Sequence, residues 1–378
     1  MSSSSNVADI LMDLIAIPSV SSASNRAVID YAQTRLNPSR WELRSFPYTD
    51  LNGVEKVNLI AVPKERTDTG AVELALVCHT DTVPYPEDWP EAVHPKVVDG
   101  RVYGRGACDV KGFLACILAA VADLQLSKHS LAVVLTADEE IGCIGAKRLL
   151  GERQLQARYA VVGEPTQLHP VVAGKGYALG EVVVRGKAVH SAFPQAGRSA
   201  IFDAVTIIDS IRRIERQAAA RRNERFDPPF TTINIGTIAG GTAKNIVPEQ
   251  CRFLVEWRPI PGQSEHWIAD LIREGLAEAQ QADSGLHASF EAIRADAGFE
   301  TALESKLVKE LESLSGNPAK AVAFGTEAPY LKKLGAETVV FGPGDMLTAH
   351  SSEENVPVAE LERCVEILKE LAARLASL

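Results

Sequence analysis

The chain has 378 residues, of which 46% are hydrophobic and 23% are charged, and this composition is ordinary for a globular protein. The formal net charge of −10 argues against a protein that holds nucleic acid or an anionic membrane surface through its overall field. A chain of this length exceeds what a single hydrophobic core usually supports, so we expect two domains.

The first part of the chain alternates between strand and helix patterns. Apolar or alternating runs predict strands at residues 41–46, 57–62, 71–78, 131–136 and 159–162. Amphipathic or strongly apolar stretches predict helices at residues 8–16, 25–36, 111–126 and about 145–150. Strands that are separated by helices favour an α/β fold with a mostly parallel sheet flanked by helices.

The pattern changes near Gly174 and predicts an inserted domain. Strands are expected at 177–185, 231–238, 251–257 and 287–293, with long helices at 200–222 and 265–281. The order β-α-β-β-α-β is that of a ferredoxin-like domain, in which two helices cover one face of the sheet. The α/β pattern then resumes, with a strand at 338–341 and a final helix at 358–376. We therefore expect residues 1–173 and 296–378 to form one domain and residues 174–295 to be an insertion in it.

Acidic and imidazole side chains follow several of the predicted buried strands. The set comprises His79, Asp81, Asp109, Glu139, Glu140, Glu164 and His350. In an open α/β sheet, ligands bind beyond the carboxyl ends of the strands, and there these side chains would converge. Carboxylates and imidazoles that converge without matching basic side chains need a cation, so the sequence predicts a metal site.

Each of these motifs also has a purely structural interpretation. A histidine at a strand end is often a satisfied core residue, adjacent glutamates often solvate a loop, and Asp109 could cap the following helix. A nucleotide-binding glycine loop is disfavoured, because Asp109 stands where the pattern G-x-G-x-x-G needs its third glycine. Cys78 and Cys108 could supply thiolate ligands, although buried structural thiols are the more frequent case. The placement of so many such groups after strands favours the metal site.

The six cysteines show no C-x-x-C pair and no spacing typical of a disulfide framework. No apolar run is long enough to span a bilayer, and no basic region precedes the first apolar stretch. We therefore expect reduced thiols, a cytoplasmic location, and neither a membrane nor a nucleic-acid partner.

Five motifs, taken in their order, resemble a known family. They are His79-x-Asp81, Gly104-Arg105-Gly106-x-x-Asp109-x-Lys111-Gly112, Asp138-Glu139-Glu140, Gly163-Glu164-Pro165 and Ala349-His350. This order is similar to that of the co-catalytic metallohydrolases, the family of aminoacylase, carboxypeptidase G and succinyl-diaminopimelate desuccinylase. The resemblance runs over nearly the whole chain, insertion included. Within the family, residues 80–84, 163–166 and 326–329 look most like those of the deacetylases that act on acetylornithine or acetylcitrulline.

The resemblance implies a set of metal ligands. His79 and Glu164 would hold one divalent ion, and Glu140 and His350 would hold a second. Asp109 would bridge the two ions. Imidazole and carboxylate ligands suit Zn²⁺ or Co²⁺, with one or two ions in each subunit.

The resemblance also implies catalytic residues. Asp81 would orient His79, and Glu139 would act as the general base on the attacking water. His190, in the inserted domain, would reach across a dimer and stabilise the oxyanion that develops on the substrate carbonyl.

Three further residues match positions at which the family binds its substrate, namely Asn245, Arg258 and Glu327. Of these, Arg258 suits a bidentate grip on a substrate α-carboxylate. Glu327 would contact the substrate side chain. The inserted domain would serve as a lid and as a dimerisation surface, which predicts a homodimer.

The predicted function is the metal-dependent hydrolysis of the acetyl amide of an α-N-acetylated amino acid in arginine biosynthesis. Acetylornithine or acetylcitrulline would be the substrate, and acetate and the free amino acid would be the products. One alternative is a desuccinylase, dipeptidase or carboxypeptidase of the same fold, and another is a non-enzymatic metal-binding member of it. Glu139 argues against the non-enzymatic alternative, because a pure binding site does not need a base beside its ligands.

Overall fold

The computed structural model describes residues 6–65, 71–122, 124–126, 130–152 and 155–377. Within these ranges, no helix combines the length and the hydrophobicity needed to cross a bilayer. The chain divides into two compact units. The first comprises Met1–Val172, Thr301–Lys320 and Thr326–Leu378, and the second comprises Ala173–Glu300 and Ala321–Gly325.

The helices and strands follow the predicted alternation closely. The helices are α1 (Val7–Ile15), α2 (Arg26–Leu36), α3 (Lys111–Ala122), α4 (Ile144–Glu152), α5 (Ala200–Ala219), α6 (Trp267–Ala282), α7 (Lys306–Ser315), α8 (Ala328–Lys333) and α9 (Val358–Leu375). The strands are β1 (Trp41–Thr49), β2 (Glu55–Pro63), β3 (Val72–His79), β4 (Lys96–Val98), β5 (Arg101–Tyr103), β6 (Leu131–Thr136), β7 (Ala157–Val162), β8 (Val171–Gly174), β9 (Tyr177–Arg185), β10 (Thr232–Gly240), β11 (Gln250–Arg258), β12 (His287–Asp296), β13 (Phe299–Glu300), β14 (Lys320–Val322), β15 (Glu337–Val340) and β16 (Asn355–Pro357).

The first unit is built on a sheet with the strand order β1-β2-β6-β3-β7-β15-β8. Its central strands β6, β3, β7 and β15 run parallel to one another, and β1 and β2 are antiparallel at one edge. Strand β6 is buried along its whole length, as expected for a continuous apolar run in a sheet that helices flank. The predicted α/β fold with a mostly parallel central sheet is confirmed.

The register of the central strands places their carboxyl ends at one edge of the sheet. His79 at the end of β3 pairs with Thr136 at the end of β6. Val162 at the end of β7 pairs with Val77 of β3 and with Val340 of β15. Side chains that follow these strands therefore start from the same edge, where ligands of such sheets bind.

A separate three-stranded sheet, with the order β16-β5-β4, was not predicted from the sequence. It pairs Asn355 of β16 with Tyr103 of β5. It thereby joins the segment before Asp109 to the segment after His350. Strands of three residues carry too short a pattern to be recognised in a sequence.

The second unit contains an antiparallel sheet with the strand order β10-β11-β9-β12. Side chains of β9 and β11 alternate between buried and partly exposed positions, so that one face of the sheet forms a core. Helices α5 and α6 contribute to that core, with Ile207 and Ile272 among the buried residues that pack with Trp257. The predicted β-α-β-β-α-β insertion is therefore present as a separate antiparallel domain.

Candidate metal centre

His79 is presented at the end of β3 in a fixed orientation. Its Nδ1 atom lies 3.0 Å from the backbone carbonyl oxygen of Asp81, which holds the ring. Its Nε2 atom lies 3.2 Å from Oδ1 of Asp109. Both of these atoms are buried, and neither makes a hydrogen bond of ordinary geometry to any of the described residues.

Asp109 lies between two imidazoles. While Oδ1 faces His79, Oδ2 lies 3.1 Å from Nε2 of His350. The same Nε2 atom of His350 lies 3.4 Å from Oε2 of Glu140. Each oxygen of Asp109 therefore faces a different histidine, and this is the arrangement that a carboxylate shared by two ions needs.

The loop that carries Glu139 and Glu140 is held by the carboxylate of Asp81. Oδ1 of Asp81 accepts a hydrogen bond from the backbone N–H of Glu139 at 3.0 Å, and Oδ2 accepts one from the N–H of Glu140 at 3.3 Å. The hydroxyl of Ser21 donates to the same carboxylate at 2.7 Å. The Asp81 carboxylate is also 3.7 Å from Nδ1 of His79, whereas the backbone carbonyl oxygen of Asp81 is closer, at 3.0 Å.

The residue before this pair, Asp138, follows β6 and has a positive φ of 59°. Its two carboxylate oxygens are bound by Lys56 Nζ at 2.7 Å and by the hydroxyl of Tyr48 at 2.9 Å. Asn58 accepts a hydrogen bond from the N–H of Ala137 at 3.0 Å. The turn that carries Glu139 and Glu140 is thus held by side chains of β1 and β2, in addition to Asp81 after β3.

Two further buried carboxylates lie in the first unit. Glu164 follows β7 and is buried. Glu327 is the residue before helix α8, and its Oε2 atom accepts a hydrogen bond from the hydroxyl of Thr136 at 2.9 Å. Its Oε1 atom is buried and has no hydrogen-bond partner among the described residues.

The site contains more buried carboxylates than buried basic side chains. Burial raises the pKa of Glu139 to about 8, and burial together with the neighbouring acids raises the pKa of Glu164 well above its usual range. Hydrogen bonds to Asp109 and Glu140 raise the pKa of His350 to about 10. Without another cation, only bound protons can balance the negative charge of these carboxylates, which is why the pKa values are raised. A divalent ion would supply the positive charge instead.

The donor atoms fit a metal ion. His79, Asp109 and Glu140 each offer one ligand atom, and these atoms all lie within 4.8 Å of one another. Each of the three residues also has a buried nitrogen or oxygen without a hydrogen-bond partner among the described residues. Buried polar atoms are normally satisfied, so a cluster of unpartnered donor atoms such as this one suits a bound cation. The thiol of Cys78 instead donates to the carbonyl oxygen of His79 at 3.2 Å.

Of the candidates in the second unit, His190 and Asn245 are exposed, and Arg258 is partly buried. His190 is exposed, and its Nδ1 atom accepts a hydrogen bond from the N–H of Ala192 at 3.1 Å. Asn245 is also exposed, and its backbone carbonyl oxygen accepts a hydrogen bond from the N–H of Ser191 at 2.9 Å, so the loops that carry His190 and Asn245 lie side by side. Arg258 ends β11.

Arg258 is already engaged within the second unit. Its Nε atom lies 2.7 Å from Oε1 of Glu256, and its guanidinium stacks over the ring of Tyr177 at 4.4 Å. To bind a substrate carboxylate, the Arg258 guanidinium would have to leave the Glu256 carboxylate or bind both carboxylates at once.

Sequence reasoning missed the side chains that support the site, among which are Lys56, Tyr48, Arg105 and Glu354. Glu354 follows Glu353 in a polar loop, and such a pair is ordinarily interpreted as solvated. In the structure Glu353 is exposed, whereas Glu354 is fully buried. Sequence offers no signal for this difference, because the partners of Glu354 lie about 250 residues away.

Comparison with known proteins places the chain among hydrolases. Residues 75–374 match the peptidase family M20/M25/M40. A protein named acetylornithine deacetylase from Myxococcus xanthus is 46% identical over 364 residues, which cover 96% of each chain. The crystal structure of aminopeptidase PepT from Bacillus cereus covers 98% of each chain with a TM-score of 0.78 at 22% identity. A Bacillus subtilis protein described as a dinuclear metal binding peptidase from the M20 family has a TM-score of 0.70 at 16% identity, covering 98% of this chain and 97% of that one.

Proposed function

The chain belongs to the peptidase family M20/M25/M40 and is a metal-dependent amidohydrolase, and we propose that it deacetylates an α-N-acetylated amino acid in arginine biosynthesis. The substrate is acetylornithine or acetylcitrulline, and the products are acetate and the free amino acid. The observation that carries the proposal is the group of His79, Asp109 and Glu140 with its unpartnered buried atoms. The similarity to an acetylornithine deacetylase supports the choice of substrate.

The metal ligands are assigned from the geometry and the motifs. His79 and Glu164 would hold one ion, Glu140 and His350 would hold the other, and Asp109 would be shared by both. This donor set suits Zn²⁺ or Co²⁺. Divalent ions bound there would polarise the acetyl carbonyl group and make water a nucleophile at neutral pH.

Glu139 is the general base in this proposal. It takes a proton from the water that attacks the carbonyl carbon, and it later delivers a proton to the amine nitrogen as the C–N bond breaks. Burial raises its pKa to about 8, and bound cations would lower that value, so that the carboxylate is a base near neutral pH. Asp81 keeps Glu139 in place through the backbone hydrogen bond at 3.0 Å.

Substrate recognition is assigned to four residues. His190 presents its Nε2 atom to the carbonyl oxygen and stabilises the developing oxyanion. Arg258 binds the α-carboxylate, assisted by Asn245 in the loop beside His190. Glu327, whose Oε1 atom has no partner among the described residues, binds the ammonium of an ornithine side chain or the ureido group of a citrulline.

We also propose that the second unit forms a homodimer. Phe202 is 77% exposed at the start of α5, with Ile201 and Val205 exposed on the same helix. Ile238 is exposed on β10, and no strand of the described residues pairs with the outer edge of β10. An exposed apolar surface beside an open strand edge suits association with a second copy of the same chain. The six free cysteines suit the reducing environment of the cytoplasm.

The first experiment measures acetate release by the chelator-stripped protein before and after addition of Zn²⁺ or Co²⁺. Acetylornithine and acetylcitrulline are compared at equal protein concentration, with succinyl-diaminopimelate and a dipeptide as alternative substrates. Turnover of either acetylated amino acid that depends on metal supports the proposal, and the ratio of the two kcat/KM values identifies the substrate. Turnover of only the succinylated or dipeptide substrate would replace deacetylation by another reaction of the same fold.

A further inference from the structure

Glu354 is a fully buried carboxylate that lies four residues after His350. Its Oε2 atom is 2.6 Å from Nη1 of Arg105, which is itself 3% exposed. Its Oε1 atom accepts hydrogen bonds from the backbone N–H groups of Cys108 and Asp109, each at 3.2 Å. A buried charge of this kind persists only when it is paired and hydrogen-bonded, and here both conditions are met.

The hydrogen bonds of Glu354 fix the backbone of the residue at the centre of the site. Asp109 can face two histidines at once only if its main chain is held at one position relative to both. Glu354 holds that main chain directly, through the N–H of Asp109. Because Glu354 belongs to the same short segment as His350, it also sets the distance between that segment and Asp109.

Further contacts join the segment that contains Glu354 to the segment that precedes Asp109. The N–H of Gly104 donates to the backbone carbonyl of Glu354 at 3.2 Å. Asn355 pairs with Tyr103 between β16 and β5, and its side chain accepts a hydrogen bond from Arg101 at 2.7 Å. These contacts join the two segments without the carboxylate of Glu354. The carboxylate adds the hydrogen bond that fixes the backbone N–H of Asp109.

We propose that Glu354 is a positioning residue of the metal centre, whose carboxylate fixes Asp109 relative to His350 so that both can bind the same ion. The proposal rests on the metal ligands assigned above. It makes no use of the substrate, and it assigns to Glu354 no contact with the reacting atoms. Outer-sphere partners of this type contribute about 10–100-fold to metal affinity in other sites.

The test is a Co²⁺ titration of chelator-stripped protein, followed by the visible absorption of the bound ion in competition with a chelator. Glu354→Gln keeps the size of the side chain but removes its charge and turns one acceptor into a donor that faces Arg105. We expect the affinity for at least one Co²⁺ ion to fall about 10–100-fold, with a changed absorption spectrum. Glu353→Gln, at the exposed neighbouring position, is the matched control and should bind as the wild type does.

The thermal unfolding of the metal-free variants separates positioning from folding. A reduced Co²⁺ affinity in Glu354→Gln, with unfolding of the metal-free protein close to wild type, supports the proposal. Co²⁺ affinity and spectrum equal to those of wild type overturn it, whatever the stability. If Glu354→Gln does not fold, Glu354→Asp replaces it, because aspartate keeps the charge but is one methylene shorter. Reduced Co²⁺ affinity in Glu354→Asp would then support the proposal, and wild-type affinity and spectrum would overturn it.

Failure of this proposal is distinguishable from failure of the proposed function. Absence of Co²⁺ binding by the wild-type protein would contradict the assigned metal site itself. Equal binding by the wild type and Glu354→Gln would contradict only the role of Glu354. Lack of deacetylation with normal Co²⁺ binding would leave the role of Glu354 intact.

Discussion

The two units hold their candidate residues in different ways. In the first unit, His79 and Asp109 are 2% and 5% exposed, and buried hydrogen bonds fix the loops that carry them. In the second unit, His190 and Asn245 are exposed and lie in loops at the surface. A buried charge requires a full set of partners, whereas an exposed side chain does not. The side chains of the candidate metal centre are therefore held in place by contacts within their own unit. Burial does not fix His190 and Asn245 in this way.

The largest expected effect comes from removing the base while leaving the ligands. Glu139→Gln should lower kcat by about 10²–10⁴-fold, because general acid–base catalysis contributes about that factor. Co²⁺ affinity should stay near the wild-type value, since Glu139 is not among the proposed ligands. Glu140→Gln is the matched neighbour and should lose Co²⁺ affinity instead. Steady-state kinetics and Co²⁺ titration of both variants provide the measurement, and equal loss of metal in both would contradict this division of roles.

A stability test compares buried and exposed ion pairs on the same strand. Lys56 and Asp138 are buried and 2.7 Å apart, so Lys56→Met leaves a carboxylate buried without its cation. The free energy of unfolding should fall by about 3–5 kcal/mol. Glu55→Gln breaks an exposed pair with Arg26 and should change it by less than about 1 kcal/mol. Urea denaturation of the metal-free proteins measures both, and similar changes would show that burial is not what separates the two pairs.

The surface histidine gives the corresponding test in the second unit. His190→Ala should lower kcat by about 10²–10³-fold, the usual loss when one oxyanion donor is removed, with Co²⁺ affinity unchanged. His287→Ala removes another exposed histidine of the same unit and should leave the kinetics unchanged. Subunit exchange between His190→Ala and Glu139→Gln proteins should restore part of the activity if His190 acts across a dimer. Mixed subunits without any recovery would count against action in trans.

The smallest expected effect is a change in specificity at Glu327. Glu327→Gln keeps the acceptor that Thr136 binds but removes the charge. The value of kcat/KM for acetylornithine should then fall about tenfold more than that for acetylmethionine, because a charge-assisted hydrogen bond is lost only with the cationic substrate. Equal changes for acetylornithine, acetylcitrulline and acetylmethionine would show that Glu327 does not contact the side chain.

The central strands could be predicted because burial leaves a strong pattern in the sequence. Strand β6 coincides with the predicted run 131–136, and β9 coincides with the predicted alternating run 177–185. Once β3, β6 and β7 are placed in one parallel sheet, the residues that follow them start from the same edge. For this reason the sequence alone predicts that His79, Glu140 and Glu164 lie near each other.

The support of the site could not be predicted, because it depends on contacts between distant parts of the chain. The burial of Glu354 depends on Arg105, about 250 residues earlier, and the short strands β5 and β16 exist only because they pair with each other. The contacts of Asp81 with nearby residues are likewise only partly predictable from the sequence. The sequence predicts that the Asp81 carboxylate orients His79, but it does not predict that the same carboxylate binds the N–H of Glu139 or that the backbone carbonyl of Asp81 lies 3.0 Å from the His79 ring.

The order of the strands has a consequence for biosynthesis of the chain. Strand β15 lies between β7 and β8, and His350 comes later still, so the central sheet of the first unit is incomplete until Glu337–Val340 has been synthesised. The main segment of the second unit, Ala173–Glu300, is synthesised before β15. We therefore expect the inserted unit to acquire its structure first during translation, and metal loading to be among the last steps of maturation.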